Sequence, residues 1–277
     1  MPDNRPIGVF DSGLGGLTVL KELQRVLPNE NIVYFGDTGR VPYGNKSNST
    51  IKSYALQDER FLLSKNVKYI VAACGTVSAV APDTAKALPV CFMGVVENSV
   101  KDAVECTKNK KIGVIGTSAT IANGAHKRLI EKYLPDAEVT TSECPLFVPL
   151  VEEGWFSADD EVVIGLVERY LKPIKIAGVD TLILGCTHYP VLKDAIRKVM
   201  GDKVMLINMG YSTARAVKSD LERLDLLNDG KEPSVKEFYL SDITSGFSKI
   251  CKILLGEETD GDKVGLVDIS KYEASFD

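Results

Sequence analysis

At 277 residues, with 44% hydrophobic and 26% charged residues, the chain is long enough for one large domain or two modest ones with buried cores. Its net charge is −5, with both signs spread along the sequence, so the basic stripe of a nucleic-acid binder is missing and no nucleic-acid partner is expected. No apolar run approaches the roughly 20 residues of a membrane span. The opening Met1-Pro2-Asp3-Asn4-Arg5-Pro6 also lacks a basic-then-apolar leader pattern, so a cytoplasmic protein with no membrane partner is expected.

In chain order, short β-branched runs alternate with amphipathic stretches. Ile7-Gly8-Val9-Phe10 ends in the turn Asp11-Ser12-Gly13, and a helical pattern follows from Leu17 to Leu27. Asn31-Ile32-Val33-Tyr34-Phe35 ends in Gly36-Asp37-Thr38, and Tyr69-Ile70-Val71-Ala72-Ala73 ends at Cys74. Lys111-Ile112-Gly113-Val114-Ile115 ends at Gly116-Thr117, and one helix is expected from Ser118 to Tyr133. Thr181-Leu182-Ile183-Leu184 ends at Gly185-Cys186-Thr187-His188, and Val204-Met205-Leu206-Ile207 at Asn208-Met209-Gly210. Continuous apolar runs suit strands buried on both faces, as in parallel sheets covered by helices. The expected fold class is α/β with largely parallel sheets.

Strand-Ala73-Cys74-Gly75-Thr76 recurs as strand-Gly185-Cys186-Thr187-His188. This repeat fits either the general habit of α/β strands to end in small polar residues or two related sheets facing one another across a cleft. Ligands in such folds bind at the carboxyl ends of the strands.

Six cysteines stand at 74, 91, 106, 144, 186 and 251, none in a C-x-x-C pair, so neither a zinc site nor a thioredoxin-like motif is expected. Cys91, in Val90-Cys91-Phe92-Met93, and Cys251, in Lys249-Ile250-Cys251-Lys252-Ile253-Leu254, read as core. Cys106 and Cys144 have no suggestive polar company. Cys74 and Cys186 sit at strand ends, one in each half. A thiol's ordinary pKa near 8.5 lets it act as acid or base. One thiolate removing a proton from a carbon and an opposite thiol returning one would place the sulfurs roughly 7 Å apart.

Two residues beyond Cys186, His188 is either structural or a charge that stabilises a thiolate. Asp11 is either turn chemistry or a carboxylate lining the cleft, where it would raise a neighbouring thiol's pKa. Gly13-Leu14-Gly15-Gly16 matches neither G-x-G-x-x-G nor a loop ending in G-K-[ST], so a nucleotide cofactor is not expected.

Phe10 to Val19, Gly36-Asp37-Thr38 with Arg40, Pro42-Tyr43-Gly44 with Lys46-Ser47, Pro149-Leu150-Val151-Glu152 and Gly185-Cys186-Thr187-His188-Tyr189-Pro190 resemble the glutamate racemases of the aspartate/glutamate racemase family. Phe238-Tyr239, Phe247 and Leu254-Leu255-Gly256 are similar to that family's last segment. The resemblance implies that Cys74 and Cys186 are the catalytic pair, with Asp11 beside the first and Glu152 and His188 assisting the second. It further implies that Asp11, Ser12, Pro42, Tyr43, Gly44, Gly75, Thr76, Thr187 and His188 hold the substrate. Without the resemblance, Glu152 reads as a solvated acid.

The resemblance also implies two pseudo-symmetric α/β domains, 1–97 with 208–277 and 98–207, with the active site in the cleft between them. Neither cofactor nor metal is implied; the implied partners are glutamate and a second copy in a homodimer. The implied activity is interconversion of L- and D-glutamate for peptidoglycan. Two departures stand out: Gly75 replaces the family's asparagine, and Asn208-Met209-Gly210 replaces Asp-Ser-Gly. Losing one buried hydrogen-bonding partner costs about 1–3 kcal/mol. A related racemase with a different substrate, or a catalytically silent binding homologue, are therefore the alternatives; a Cys–His hydrolase would leave the second cysteine without a role.

Overall fold

A computed structural model describes residues 3–243, 247–256 and 264–273. Two sheets organise them, and all their strand pairs are parallel. The first contains β1 (Ile7–Asp11), β2 (Ile32–Gly36), β3 (Tyr69–Ala72), β4 (Cys91–Gly94), β9 (Lys236–Leu240) and β10 (Val264–Leu266), in the order β10-β9-β2-β1-β3-β4. The second contains β5 (Lys111–Gly116), β6 (Glu138–Glu143), β7 (Thr181–Leu184) and β8 (Met205–Asn208), in the order β6-β5-β7-β8.

Five of the six continuous apolar runs form inner strands, and every residue of β1, β2, β3 and β7 is buried; the run from Val204 to Ile207 instead forms β8 at the edge of its sheet, with Met205 exposed. Successive side chains alternate between two cores, as the strand's twofold repeat requires. Ile7, Val9, Tyr34 and Val71 join a cluster that continues through Val114, Ile183 and Leu192 of the second sheet's surroundings. Phe10, Val33, Phe35 and Ile70 point the other way, onto Ile51, Ala55 and Leu62 of α2 (Asn48–Ser64).

Two sequence expectations are corrected. Cys91 is exposed, because β4 lies at the edge of its sheet with a neighbour on one side only. The single helix expected from 118 to 133 is two, α5 (Ser118–Asn123) and α6 (Ala125–Tyr133), broken at Gly124, whose φ is +68°. A left-handed residue ends the α-helical hydrogen-bond run. Cys251 is buried, as expected. Strands β6 and β10, at sheet edges, and β9, next to β10, carry charged residues or a central glycine and lack the apolar-run signal.

Helices complete the layers: α1 (Leu17–Val26), α3 (Gly75–Val80), α4 (Val95–Cys106), α7 (Phe147–Glu152), α8 (Glu161–Ala177), α9 (Lys193–Met200), α10 (Met209–Arg223) and α11 (Phe247–Leu255). The chain passes from the first sheet to the second through α4 and returns where β8 runs into α10. Among the described residues, no helix is long and apolar enough to cross a membrane.

Candidate active site

The residues singled out in the sequence gather at the carboxyl ends of the central strands. Asp11 is the last residue of β1, Cys74 lies two residues beyond β3, and Cys186 two beyond β7. Their strands belong to different sheets, so the two thiols come from different walls.

On the first wall, Cys74 is the residue immediately before α3 and is only 4% exposed. Its thiol donates to the Ser12 hydroxyl at 3.5 Å. Burial and the nearby Asp11 carboxyl push its pKa up to about 11, against opposing hydrogen bonds from Ser12 and Val77. Asp11 is itself buried and accepts the Gly13 amide at 3.1 Å. Burial raises its carboxyl, while backbone amides and the His188 charge pull it back. Cys74 is thus a neutral thiol near pH 7, a proton donor.

On the second wall, His188 Nδ1 stands 4.0 Å from the Cys186 sulfur and Nε2 stands 3.1 Å from Glu152 Oε1. Burial alone would lower the imidazole's pKa. Hydrogen bonds and charge from Cys186 and Glu152 outweigh it and carry the value up to about 10. His188 is therefore held as a cation between the Cys186 sulfur and the Glu152 carboxyl group. Glu152 ends the short α7, which places its carboxylate at the histidine.

The two walls touch through small residues. A Cβ on Gly75 would lie 3.5 Å from the Gly185 carbonyl oxygen. Thr18 donates its hydroxyl to the Thr187 carbonyl at 2.6 Å and to the Gly15 carbonyl at 3.0 Å. Gly15 itself lies so close to the second wall that an added Cβ would meet Thr187 Oγ1 at 2.3 Å and the His188 ring at 2.6 Å. Gly44 faces Ala119 and Thr117 at the start of α5.

The family model for Asp/Glu/Hydantoin racemases matches residues 15–217. The chain belongs to that family. A glutamate racemase of Geobacter metallireducens is 44% identical over 253 residues, covering 91% of this chain and 93% of its own. One from Neisseria meningitidis serogroup B is 45% identical over 257 residues, with the same coverage. The crystal structure of glutamate racemase from Francisella tularensis in complex with D-glutamate superposes with a TM-score of 0.89 at 38% identity, covering 98% of this chain and all of that one. Glutamate racemase from Thermus thermophilus, in complex with β-chloro-D-alanine, gives 0.86 at 40% identity with the same coverage.

Within this racemase, the predicted site residues are not equally placed to meet a ligand. Asp11, Ser12, Cys74, Gly75, Cys186, Thr187, His188 and Glu152 form one connected set. Pro42 is exposed, and the Tyr43 hydroxyl points away into the first sheet's core, where it meets Asp37 and Asp58. What Tyr43 can offer a ligand is backbone. Thr76 lines a smaller cavity of about 400 Å³ with Gly44, Lys46, Thr120 and Asn123. Thr117 and Thr120, at the start of α5, were not singled out by the sequence reading. Their one local signal was a strand ending in Gly116-Thr117 before a helix, a pattern shared with many α/β turns.

A larger cavity, about 1040 Å³, lies elsewhere, between α1, α9 and α10, and neither Cys74 nor Cys186 lines it. Volume alone would choose it; the paired thiols, the imidazolium and the strand-end position choose the cleft. Cys106 borders that cavity and is exposed, whereas Cys144 is sealed in the core.

Proposed function

We propose that this racemase interconverts L- and D-glutamate by moving the Cα proton between Cys74 and Cys186. The observation that carries the reading is that two thiols stand on strand ends of different sheets in unlike surroundings, one neutral beside Asp11, the other beside an imidazolium. Opposed acid and base of this kind are what inversion at one carbon requires.

In one direction the reaction starts from Cys186 as the thiolate and Cys74 as the thiol: Cys186 takes the Cα proton from one face and Cys74 donates its proton to the other. The products are the opposite enantiomer, a Cys186 thiol and a Cys74 thiolate. That second form is the one that accepts the enantiomer just made, so the two directions use exchanged roles. His188 and Glu152 hold the charge at Cys186, and Asp11 raises the acidity barrier at Cys74. Ser12, Gly75, Thr76, Thr187 and the backbone of Pro42-Tyr43-Gly44 border the space for the substrate's carboxylates and amino group.

The domain division into 1–97 with 208–277 and 98–207 belongs to the same reading, supported by the membership of the two sheets. So do a homodimer, a role in supplying D-glutamate for peptidoglycan, and a cytoplasmic site, where a reducing environment keeps both thiols free.

In deuterium oxide the protein is expected to exchange the Cα hydrogen of glutamate. Cys74→Ala and Cys186→Ala should each lower racemisation by about 10²–10⁴-fold, the usual contribution of a positioned acid or base. Turnover within a few-fold of the parent in either variant would exclude the paired-thiol mechanism. Exchange confined to a different amino acid would shift the substrate assignment.

A further inference from the structure

Behind the substrate-facing loop lies a closed ring of buried polar groups that the proton transfer does not use. The chain leaves β2 at Gly36, passes Asp37, makes two short turns through Arg40 and Tyr43, and enters α2 after Ser47. This loop is folded back on α2. Arg40 stacks over the Tyr54 ring at 3.9 Å, and the rings of Tyr43 and Tyr54 lie 5.3 Å apart.

The Arg40 guanidinium bridges Asp37 Oδ2 at 2.6 Å and Asp58 Oδ1 at 3.1 Å. The Tyr43 phenol meets Asp37 Oδ2 and, at 2.9 Å, Asp58 Oδ2. Both carboxyl groups are fully buried. A phenol has one proton and can donate to one carboxylate only. Its contact with the second is repulsive unless that carboxyl carries a proton of its own.

A proton on either carboxyl satisfies these contacts, and the geometry favours Asp58: its Oδ2 meets only the phenol, whereas Asp37 Oδ2 also accepts Arg40 at 2.6 Å, where a proton would crowd the guanidinium. Protonated Asp58 donates from Oδ2 to the Tyr43 oxygen, Tyr43 donates to ionised Asp37, and Arg40 donates to Asp37 and to the carbonyl oxygen of Asp58. The ring is then electrically neutral, with one anion and one cation.

We propose that a proton retained on Asp58 closes this ring, making Asp58 a positioning residue that holds the Tyr43-Gly44 backbone against the substrate cleft. Two further contacts tie the ring to the site. The Asp37 amide donates to the Asp11 carbonyl at 3.0 Å, and Gly44 packs on Ala119 of the opposite wall. Burial and the neighbouring Asp37 push the Asp58 carboxyl well above the usual range, with Arg40 opposing.

The titratable groups facing Asp58 are Asp37, Arg40, Tyr43 and, from α2 itself, Glu59. The other segments packed on α2 bring Asp11, Tyr34, Lys86, Lys271 and Tyr272. Lys86 is paired with Asp83 and Lys271 with Asp268, and Tyr272 lies edge-on to Phe61. α3 carries no titratable side chain.

The inference rests on the glutamate reading for its kinetic arm and has a second arm that does not. An amide reproduces a neutral carboxyl, with Oδ1 accepting from Arg40 and Nδ2 donating to Tyr43. Asp58→Asn should therefore keep KM for glutamate within about twofold of the parent. Asp58→Ala and Tyr43→Phe, which open the ring, should raise KM about tenfold or more while kcat moves less. Independently of any turnover, the infrared spectrum of the parent near pH 7 should contain a protonated-carboxyl band that Asp58→Asn removes. KM rising as much in Asp58→Asn as in Asp58→Ala, or an unchanged infrared band, would overturn the proposal. A protein inactive on glutamate that still loses the band would leave the ring standing and count against the substrate alone.

Discussion

Cys74 and Glu59 show how burial without a countercharge changes what a side chain does. Cys74 becomes a weaker acid than a free thiol, and Asp11 reinforces the shift. Glu59, fully buried, has one oxygen accepting the Thr84 hydroxyl at 2.6 Å, while Oε2 has no hydrogen-bond partner among the described residues. Desolvation raises its pKa from 4.5 to about 7, with the Thr84 bond opposing. The folded state therefore holds this proton more tightly than the unfolded one. Its stabilising contribution is complete below pH 4.5 and is lost as pH rises through 7. The loss amounts to roughly 3 kcal/mol at about 1.36 kcal/mol per pH unit. Glu59→Gln should accordingly raise Tm at pH 8 by several degrees and change it little at pH 4.5. Calorimetric scans at the two pH values check this, and an equal effect at both would remove the titration argument.

At the scale of elements, the site is built by close approach of turns that only small side chains allow. The Gly13-to-Gly16 turn has no phosphate-loop spacing; its glycines let α1 pack against the second wall. Gly15→Ala would press a methyl group into Thr187 and His188. Overpacking of that kind costs about 1–3 kcal/mol, and here it also displaces the imidazolium beside Cys186. A sharp fall in kcat with a native circular dichroism spectrum is expected; normal turnover would show that the turn yields freely.

The two departures from the family pattern meet in space: a Cβ on Gly75 would lie 3.9 Å from the Met209 methyl, and Met209 is buried. Met209 thus stands beside the space into which an amide at position 75 would extend. Gly75→Asn should raise kcat/KM for glutamate, and more so when combined with Met209→Ser. A double-mutant cycle measures this coupling, expected at about 0.5–3 kcal/mol for residues in contact. Strict additivity would mean that the two positions act separately.

At the scale of the whole molecule, two sheets share one continuous core, yet the candidate cleft is closed by a few polar contacts such as Thr18 to Thr187. A ligand bridging both walls would bind the folded state alone. Glutamate at about one hundred times its Kd should then add about 2.7 kcal/mol of stability, which at roughly 2–4 °C per kcal/mol is a readily measured shift in Tm. A flat melting temperature across that range would argue that glutamate does not bridge the walls.

The α/β class, the inner parallel strands and the two thiol-bearing turns were legible in the sequence because each rests on local pattern. An apolar run marks a strand covered on both faces, and small polar residues after it mark the strand end. The exposure of Cys91 was not legible, since an edge strand and an inner one can share the same four residues. Nor was the break at Gly124, where α5 meets α6, or the inward turn of the Tyr43 phenol. The ring of Asp37, Arg40, Tyr43 and Asp58 closes only because the loop folds back on α2, and the meeting of Gly75 with Met209 joins residues far apart in the chain. Tertiary structure decides such features, because hydrogen bonds and van der Waals contacts act over a few ångströms of space whatever the separation along the backbone.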